Sequence, residues 1–201
     1  MLLLPSATSN RTEKRKPTVC EVYLDGELKK AEVIDEHEKS YGIFMHSVIL
    51  SNNSTVIKSG KEVEVIGDEQ EKAISLFTLN KGFDKSLFDI IAPKIADVNL
   101  ENEICLKPSV HLINDKLRVV TKGNAPEVLK KCTYVLIDSK FVKLTRRLMR
   151  GINEAYRKML DRGLRVYAIA IKDISEVSEV IKKEFSLNQM VFVGLLGIGN
   201  V

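Results

Sequence analysis

Lys122 and Gly123 are the first residues whose types and spacing could bind an anion. They follow a predicted strand at residues 117–121, and Gly123 permits the chain to reverse direction there. Asn124 and Glu127 are typical of a helix N-terminus. The free N–H groups of such a helix, together with the Lys122 ammonium group, would bind a phosphate. The alternative is that Lys122 is an ordinary solvated lysine at a strand end.

Arg165 is a second candidate for anion binding. It stands early in a predicted strand, two residues after Gly163, which ends the helical pattern at residues 145–162. A guanidinium group can bind two phosphate oxygens at once, and we expect Arg165 at the same edge of the sheet as Lys122. The alternative is an ion pair between Arg165 and a surface carboxylate.

The length and charge of the chain restrict the functions that it can have. Its 201 residues suit one domain with enough apolar residues for a core. The 31 basic and 27 acidic residues leave a formal charge of +4, an excess too small to predict a nucleic-acid partner. The basic helix at residues 145–162 has Tyr156 as its only aromatic residue. We therefore expect a solvated basic face there, with nucleic-acid binding through residues 146–162 as the alternative.

The cysteines and histidines give no sign of a metal or redox site. Cys20, Cys105 and Cys132 are widely spaced, and the three histidines form no ligand pattern with them. We therefore expect a reduced, cytoplasmic setting. No stretch approaches the ~20 apolar residues of a membrane span, so we expect no direct membrane insertion of this chain.

Hairpins, together with single strands between helices, define the predicted fold class. Asp25-Gly26 and Asn114-Asp115 are typical hairpin turns, whereas other predicted strands arrive singly between amphipathic helices. The pattern predicts an α/β domain of the α+β type, with a mostly antiparallel twisted sheet flanked by helices. Residues 1–17 contain a basic run without apolar periodicity and are predicted to be a flexible tail. A single folded domain is expected at residues 18–201.

Three segments in the second half of the chain resemble P-type cation-transporting ATPases. Residues 122–132, KGNAPEVLKKC, resemble the K-G-A-P-E…C segment of that family, and residues 163–172, GLRVYAIAIK, resemble its G-L-R-x-L-A-x-A segment. Both segments lie in the cytosolic nucleotide-binding domain of those pumps. Residues 191–198 look like the strand by which the family leaves this domain. Residues 190–201 are therefore expected to lead toward a phosphorylation domain.

The resemblance implies a domain that binds ATP as Mg-ATP, with Lys122, Gly123 and Arg165 in the nucleotide site. Residues 67–74, GDEQEKAI, are similar to the family's G-D-P-T-E-x-A-L segment. The glutamate of that segment reaches the adenine amino group, and the resemblance gives Glu71 the same role. A capping box formed by Asp68 and Glu71 explains the same spacing without a ligand.

The segment at residues 98–106 departs from the family pattern P-F-x-S-x-x-K/R-x-M. By position Leu100 replaces the phenylalanine that stacks on adenine. Ile104, Cys105 and Leu106 stand where the family has basic residues. Either the alignment slips at this segment or the adenine pocket is degraded. Leu100 enters the predicted nucleotide site as an apolar floor for the base.

The favoured function is that of the ATP-binding domain of a P-type cation pump, which presents ATP to an aspartate in a separate phosphorylation domain. That aspartate belongs to the family's D-K-T-G-T-L-T segment, and this chain has no aspartate before Asp25. The phosphorylation domain and the membrane part of a pump would be partners, and the chain alone should not turn over ATP. The alternative is a degenerate module of the same fold that no longer binds nucleotide and serves protein–protein interaction or regulation.

Overall fold

The computed structural model describes residues 15–98, 100, 106–178 and 187–200. Within these residues there are five helices: α1 (Tyr41–Leu50), α2 (Glu69–Asn80), α3 (Lys85–Ile91), α4 (Ala125–Leu129) and α5 (Arg146–Asp161). The strands are β1 (Pro17–Leu24), β2 (Glu27–Lys30), β3 (Thr55–Ser59), β4 (Glu62–Ile66), β5 (Lys94–Asp97), β6 (Ser109–Ile113), β7 (Lys116–Asn124), β8 (Cys132–Ile137), β9 (Lys140–Lys143), β10 (Arg165–Ile174) and β11 (Met190–Asn200).

One large sheet organises the described part of the chain. Its main path runs β2-β1-β11-β10-β7-β6-β5, and β8 and β9 extend it beside the first residues of β11. The pairs are antiparallel except for β8 with β11, which is parallel. The strands β3 and β4 form a separate hairpin. The predicted α+β class with a mostly antiparallel sheet flanked by helices is confirmed.

Helices cover the sheet on both sides. Side chains of successive strand residues point to opposite faces, so each face meets its own set of helices. Val120 and Ile169 pack with residues of α1, α2 and α3, and we call this side the α2 face. Val119 and Ala168 pack with residues of α4 and α5, and we call this side the α5 face. Each face buries its own apolar cluster, so a side chain's position along a strand decides which helices it meets.

The hairpin turns adopt the backbone that their sequences favour. Asp25 and Gly26 have φ values of 52° and 82°, and Asn114 and Asp115 have 47° and 63°, as the tight turns of hairpins require. Both predicted turns are confirmed. The Asp25 carboxylate also accepts hydrogen bonds from the Ser40 N–H at 3.1 Å and the Asp138 N–H at 2.9 Å. The turn between β1 and β2 is thereby joined to the start of α1 and to the turn between β8 and β9.

The expectation of a chain reversal at Gly123 is wrong. β7 continues to Asn124, and Gly123 lies opposite Ala168 of β10 in the antiparallel ladder. The helix that follows is the five-residue α4, and Asn124 makes no side-chain cap bond to it. The chain continues as a strand because its pairing with β10 supplies the hydrogen bonds that a turn would leave open. A phosphate seat at the start of this helix therefore has little geometric support.

His111 gives the fold a testable dependence on pH. Its ring is buried, and its Nδ1 lies 3.2 Å from the Ala92 carbonyl oxygen, to which it must donate. Nε2 then accepts from the Ser109 hydroxyl at 2.8 Å, which describes a neutral imidazole. Burial is the main cause that lowers the pKa of His111 below its ordinary value of 6.5. Lys85 and Lys94 reinforce the shift, whereas the Ala92 hydrogen bond and Asp89 oppose it.

We expect the folded protein to lose stability as the pH falls below 6.5. The unfolded chain takes up a proton at His111 near that pH, but the folded chain does so only at a lower pH. The stabilisation is therefore fully present above pH 6.5, and its slope below that is at most about 1.4 kcal/mol per pH unit. Urea unfolding at pH 7.5 and 5.5 should show a smaller pH effect for His111→Gln than for the wild type. An equal pH effect in both proteins would contradict this assignment.

Candidate functional site

Lys122 and Glu71 form an ion pair on the α2 face of the sheet. Lys122 extends from β7, and Glu71 stands in the first turn of α2, 51 residues earlier in the chain. The Lys122 Nζ lies 2.6 Å from the Glu71 Oε1, and the two side chains are only 10% and 14% exposed. Two residues that were singled out separately by sequence are thus in direct contact. Gly123 follows Lys122 in β7 and is buried.

The Glu71 carboxylate is held in place by the backbone around it. Its Oε2 accepts a hydrogen bond from the Asn53 N–H at 3.1 Å, and its own N–H donates to Asp68 at 2.8 Å. The Glu71 carbonyl oxygen accepts from the buried Asn52 amide at 3.0 Å. Asp68 therefore caps α2 as predicted, but the Glu71 carboxylate contacts Asn53 and Lys122 and does not close a capping box. Helix capping therefore does not explain the contacts of the Glu71 carboxylate with Asn53 and Lys122.

Gly67 explains how Glu71 comes so close to the loop after α1. A Cβ atom at this position would lie 3.2 Å from the Ser54 Cβ and 3.3 Å from the Glu71 Cβ. Both distances are shorter than ordinary van der Waals contact, so a side chain here would push the two segments apart. The glycine of the GDEQEKAI segment thus permits the approach of α2 to residues 52–54.

The charge on Lys122 is balanced by several neighbours. Burial lowers the pKa of Lys122, and the Glu71 carboxylate opposes that shift. The Lys122 Nζ also lies 5.9 Å from the centroid of the Tyr167 ring, within the range of a cation–π contact. Because Glu71 neutralises its charge, Lys122 is a weaker binding site for phosphate than an unpaired cation would be.

Arg165 is such an unpaired cation. It is exposed and forms no ion pair with any residue that the structure describes. Alternation along β10 places Arg165, Tyr167 and Ile169 on one face, and Ile169 is the partner of Lys122 in the ladder. Four residues of strand separate Arg165 from this position, which is about 13 Å. The alternative of an Arg165 pair with a surface carboxylate is not found among the described residues.

Leu100 lies apart from the other predicted site residues. It is partly buried against the apolar cluster of the α5 face, on the opposite side of the sheet from Lys122. Leu106 is buried in the same cluster, and the predicted departures at Ile104 and Cys105 lie outside the described residues. The structure therefore brings together Glu71, Lys122 and Gly123, places Arg165 along the same face, and does not bring Leu100 to them. Contact of Leu100 with a nucleotide stays a prediction.

Sequence reasoning missed Tyr167 and Asn53. Tyr167 stands two residues after Arg165, so the alternation of a strand could have placed it on the same face. Asn53 lies in the loop that follows α1. Its backbone N–H reaches Glu71 through a contact across 18 residues that no local pattern indicates.

This arrangement can bind a ligand that carries both an amino group and an anionic group. A carboxylate has lone pairs for about four hydrogen bonds, so Glu71 can still accept from an amino donor. Tyr167 offers a ring, and Arg165 offers an unpaired guanidinium group. Within the described ranges, no three His, Cys, Asp or Glu side chains converge on a metal position. None of the helices described there is long and apolar enough to span a bilayer.

Comparisons with known proteins identify the family of the chain. The family model of the P-type ATPase cytoplasmic domain N matches residues 40–201. The calcium-transporting ATPase 1 of Bacillus cereus is 23% identical over 185 residues, which are 92% of this chain and 20% of that protein. A calcium-transporting ATPase of Listeria monocytogenes is 23% identical over 184 residues, with 90% and 20% covered. A cation-transporting ATPase of Synechocystis is 25% identical over 151 residues, with 75% and 16% covered.

The chain thus spans about a fifth of the length of the first two relatives. The family model, in contrast, matches well over half of the chain, including both residues of the Glu71–Lys122 pair and the strand that carries Arg165. On this evidence the chain belongs to the family of the cytoplasmic N domain of P-type ATPases.

Proposed function

We propose that this domain binds ATP on the α2 face and presents it to a phosphorylation domain of a P-type cation pump. The observation that carries the proposal is the set formed by the Glu71–Lys122 pair, the Tyr167 ring and the unpaired Arg165 on one face of the sheet. The acceptor aspartate and the membrane part would belong to other segments of the pump. The domain's own contribution is to bind and orient the nucleotide.

We infer from the charges of the site that the two ends of the nucleotide contact different residues. The Glu71 carboxylate repels phosphate but accepts hydrogen bonds from an amino group, so the adenine end belongs beside Glu71. Lys122, which is 2.6 Å from Glu71, must contact the same end. The phosphates would then extend along β10 toward Arg165, about 13 Å away. This proposal moves Lys122 from the phosphate end, where the sequence predicted it, to the base end.

Magnesium would accompany the phosphates and is not assigned to a protein site. A bound Mg²⁺ supplies charge neutralisation on the phosphate oxygens during transfer. Arg165, which this proposal places beside the phosphates, is cationic and binds their oxygens directly.

Arg165→Ala is expected to weaken ATP about tenfold and to change adenosine affinity less than about twofold. A charge-assisted hydrogen bond contributes ~1.5–3 kcal/mol, and the exposure of Arg165 favours the lower end of that range. Calorimetric titration with ATP, adenosine and tripolyphosphate would measure the three affinities. Lys61→Ala, which removes another exposed cation without an ion pair to a described residue, is the control and should change none of them. Equal losses for ATP and adenosine would place Arg165 at the wrong end of the nucleotide.

A second candidate function is that of an N-domain-like module without nucleotide binding. It is favoured by one observation, namely that Leu100 packs against the apolar cluster of the α5 face, on the other side of the sheet from Lys122. Titration of the wild-type chain with ATP separates the two functions. Binding that saturates by millimolar ATP supports the ATP-binding domain. The absence of saturable binding at millimolar ATP supports the module.

A further inference from the structure

A groove along α5 forms a second surface with chemistry of its own. Its volume is about 530 Å³, and its lining includes Leu144, Arg146, Met149, Arg150, Asn153 and Arg157. We call it the α5 groove. Because α5 packs on the α5 face of the sheet, this groove lies on the opposite side from Glu71 and Lys122. It therefore cannot belong to the proposed nucleotide site.

The polar residues of the groove form one stripe along the helix. Arg146, Arg150, Asn153 and Arg157 follow the spacing i, i+4, i+7 and i+11, which keeps side chains on the same face of an α-helix. The buried residues of α5 are Ile152, Ala155 and Met159, on its other side. The stripe thus faces away from the buried side of α5, and its three arginines are exposed. Its length is about 16 Å from Arg146 to Arg157.

The positive charge of the stripe is not compensated within the described part of the chain. Arg146, Arg150 and Arg157 are exposed and form no ion pair with a described residue. The acidic residue that lines the groove, Glu154, is paired with Lys158 at 2.8 Å. Like charges four residues apart destabilise a helix, so Arg146 and Arg150 do not stabilise the fold by their charges. An anionic partner would remove this repulsion.

The other lining residues favour a peptide as that partner. Leu144 and Met149 are partly buried against the core and give the groove an apolar wall for a side chain. Asn153 stands between Arg150 and Arg157, and its amide can both donate to and accept from a peptide backbone. None of the described residues that line the groove is aromatic, so bases would find no stacking partner there. The 16 Å stripe matches about five residues of extended chain.

We propose that the α5 groove binds an extended acidic peptide segment of a partner protein. Carboxylates of the segment pair with Arg146, Arg150 and Arg157, and an apolar side chain between them contacts Leu144 and Met149. The segment's backbone pairs with Asn153. This surface is independent of ATP, so the domain binds the segment with or without nucleotide.

The test uses the full chain and a fluorescein-labelled peptide of alternating glutamate and valine, followed by fluorescence anisotropy at about 0.15 M salt, where distant charges are screened. The test variant carries Arg150→Glu and Arg157→Glu. The control carries Lys61→Glu and Lys116→Glu, which make the same change in net charge at two exposed lysines outside the groove. We expect the test variant to weaken the peptide at least about tenfold and the control less than about twofold.

Three results would overturn the proposal. They are the absence of saturable binding by the wild type, equal weakening in the two variants, and tighter binding of a single-stranded oligonucleotide than of the peptide. A peptide with glutamine in place of glutamate should bind weakly, because the carboxylates are gone. If the test variant unfolds, Arg150→Gln with Arg157→Gln replaces it, and the same comparison with wild type decides the outcome.

Discussion

Lys122→Met is expected to lower the free energy of unfolding by about 3 kcal/mol. The substitution keeps the aliphatic length of the side chain but leaves the Glu71 carboxylate, which is only 14% exposed, without its cation. Removing one partner of a nearly buried ion pair is strongly destabilising, because the remaining charge is still desolvated. Urea unfolding followed by circular dichroism would measure the change at pH 7.

The double variant Glu71→Gln with Lys122→Met is the control for that result. It removes both charges, while the side-chain amide introduced by Glu71→Gln can still accept from the Asn53 N–H. Because no unpaired charge remains, we expect the double variant to regain at least half of the lost stability. A double variant as unstable as Lys122→Met would show that packing, and not charge, determines the effect.

Lys122→Met also tests where Lys122 contacts the nucleotide. If Lys122 lies at the base end, Lys122→Met weakens ATP and adenosine by equal factors, in contrast to Arg165→Ala. A loss confined to ATP and tripolyphosphate would return Lys122 to the phosphate end and contradict the proposed orientation.

Gly194→Ala is expected to destabilise the domain by about 3 kcal/mol. Gly194 lies in β11 opposite Ile169, and a Cβ atom there would be 2.5 Å from the Tyr23 carbonyl oxygen. It would also be 2.8 Å from the Phe44 Cε2, so both a strand backbone and a core ring of α1 must shift. Thermal and urea unfolding of the variant would measure the loss.

Gly42→Ala provides the matched control for the alanine at Gly194. Gly42 is exposed in α1, and a Cβ atom there has nothing within 4 Å. Alanine is favoured over glycine in a helix, so we expect a gain of about 0.5–1 kcal/mol. A loss at Gly42 similar to that at Gly194 would show that the clash of the added Cβ atom is not the cause.

Local patterns in the sequence predicted the parts of the fold that depend on local chemistry. The turns at Asp25-Gly26 and Asn114-Asp115 and the cap at Asp68 each depend on residues a few positions apart, and all are confirmed. The predicted chain reversal at Gly123 was wrong because the conformation of Gly123 is decided by its pairing with Ala168, 45 positions later in the chain. Tertiary pairing overrode the preference of a Lys-Gly-Asn run for a turn.

The candidate site was predictable in part as a set of residues, but not as an arrangement. Residue type and spacing indicated Lys122 and Arg165, and the resemblance to a family segment indicated Glu71, but neither gives distances. The Glu71–Lys122 contact joins the start of α2 to β7 across 51 residues of sequence, and Gly67, which lacks a side chain, permits the approach of α2 to residues 52–54. The apolar cluster that Leu100 meets depends on tertiary packing. Neither property is encoded within a short window of sequence.

The pairing of β1 with β11 determines how the domain resists a pulling force applied at Pro17 and Asn200. Pro17 lies opposite Asn200, and the ladder continues inward to Tyr23 opposite Leu195. Tension between Pro17 and Asn200 would act across the strands, so it would fall on one rung of hydrogen bonds at a time. Such a zipper opens at a far lower force than strands sheared along their length. A load on these two neighbouring points would therefore be resisted rung by rung, and not by the whole sheet at once.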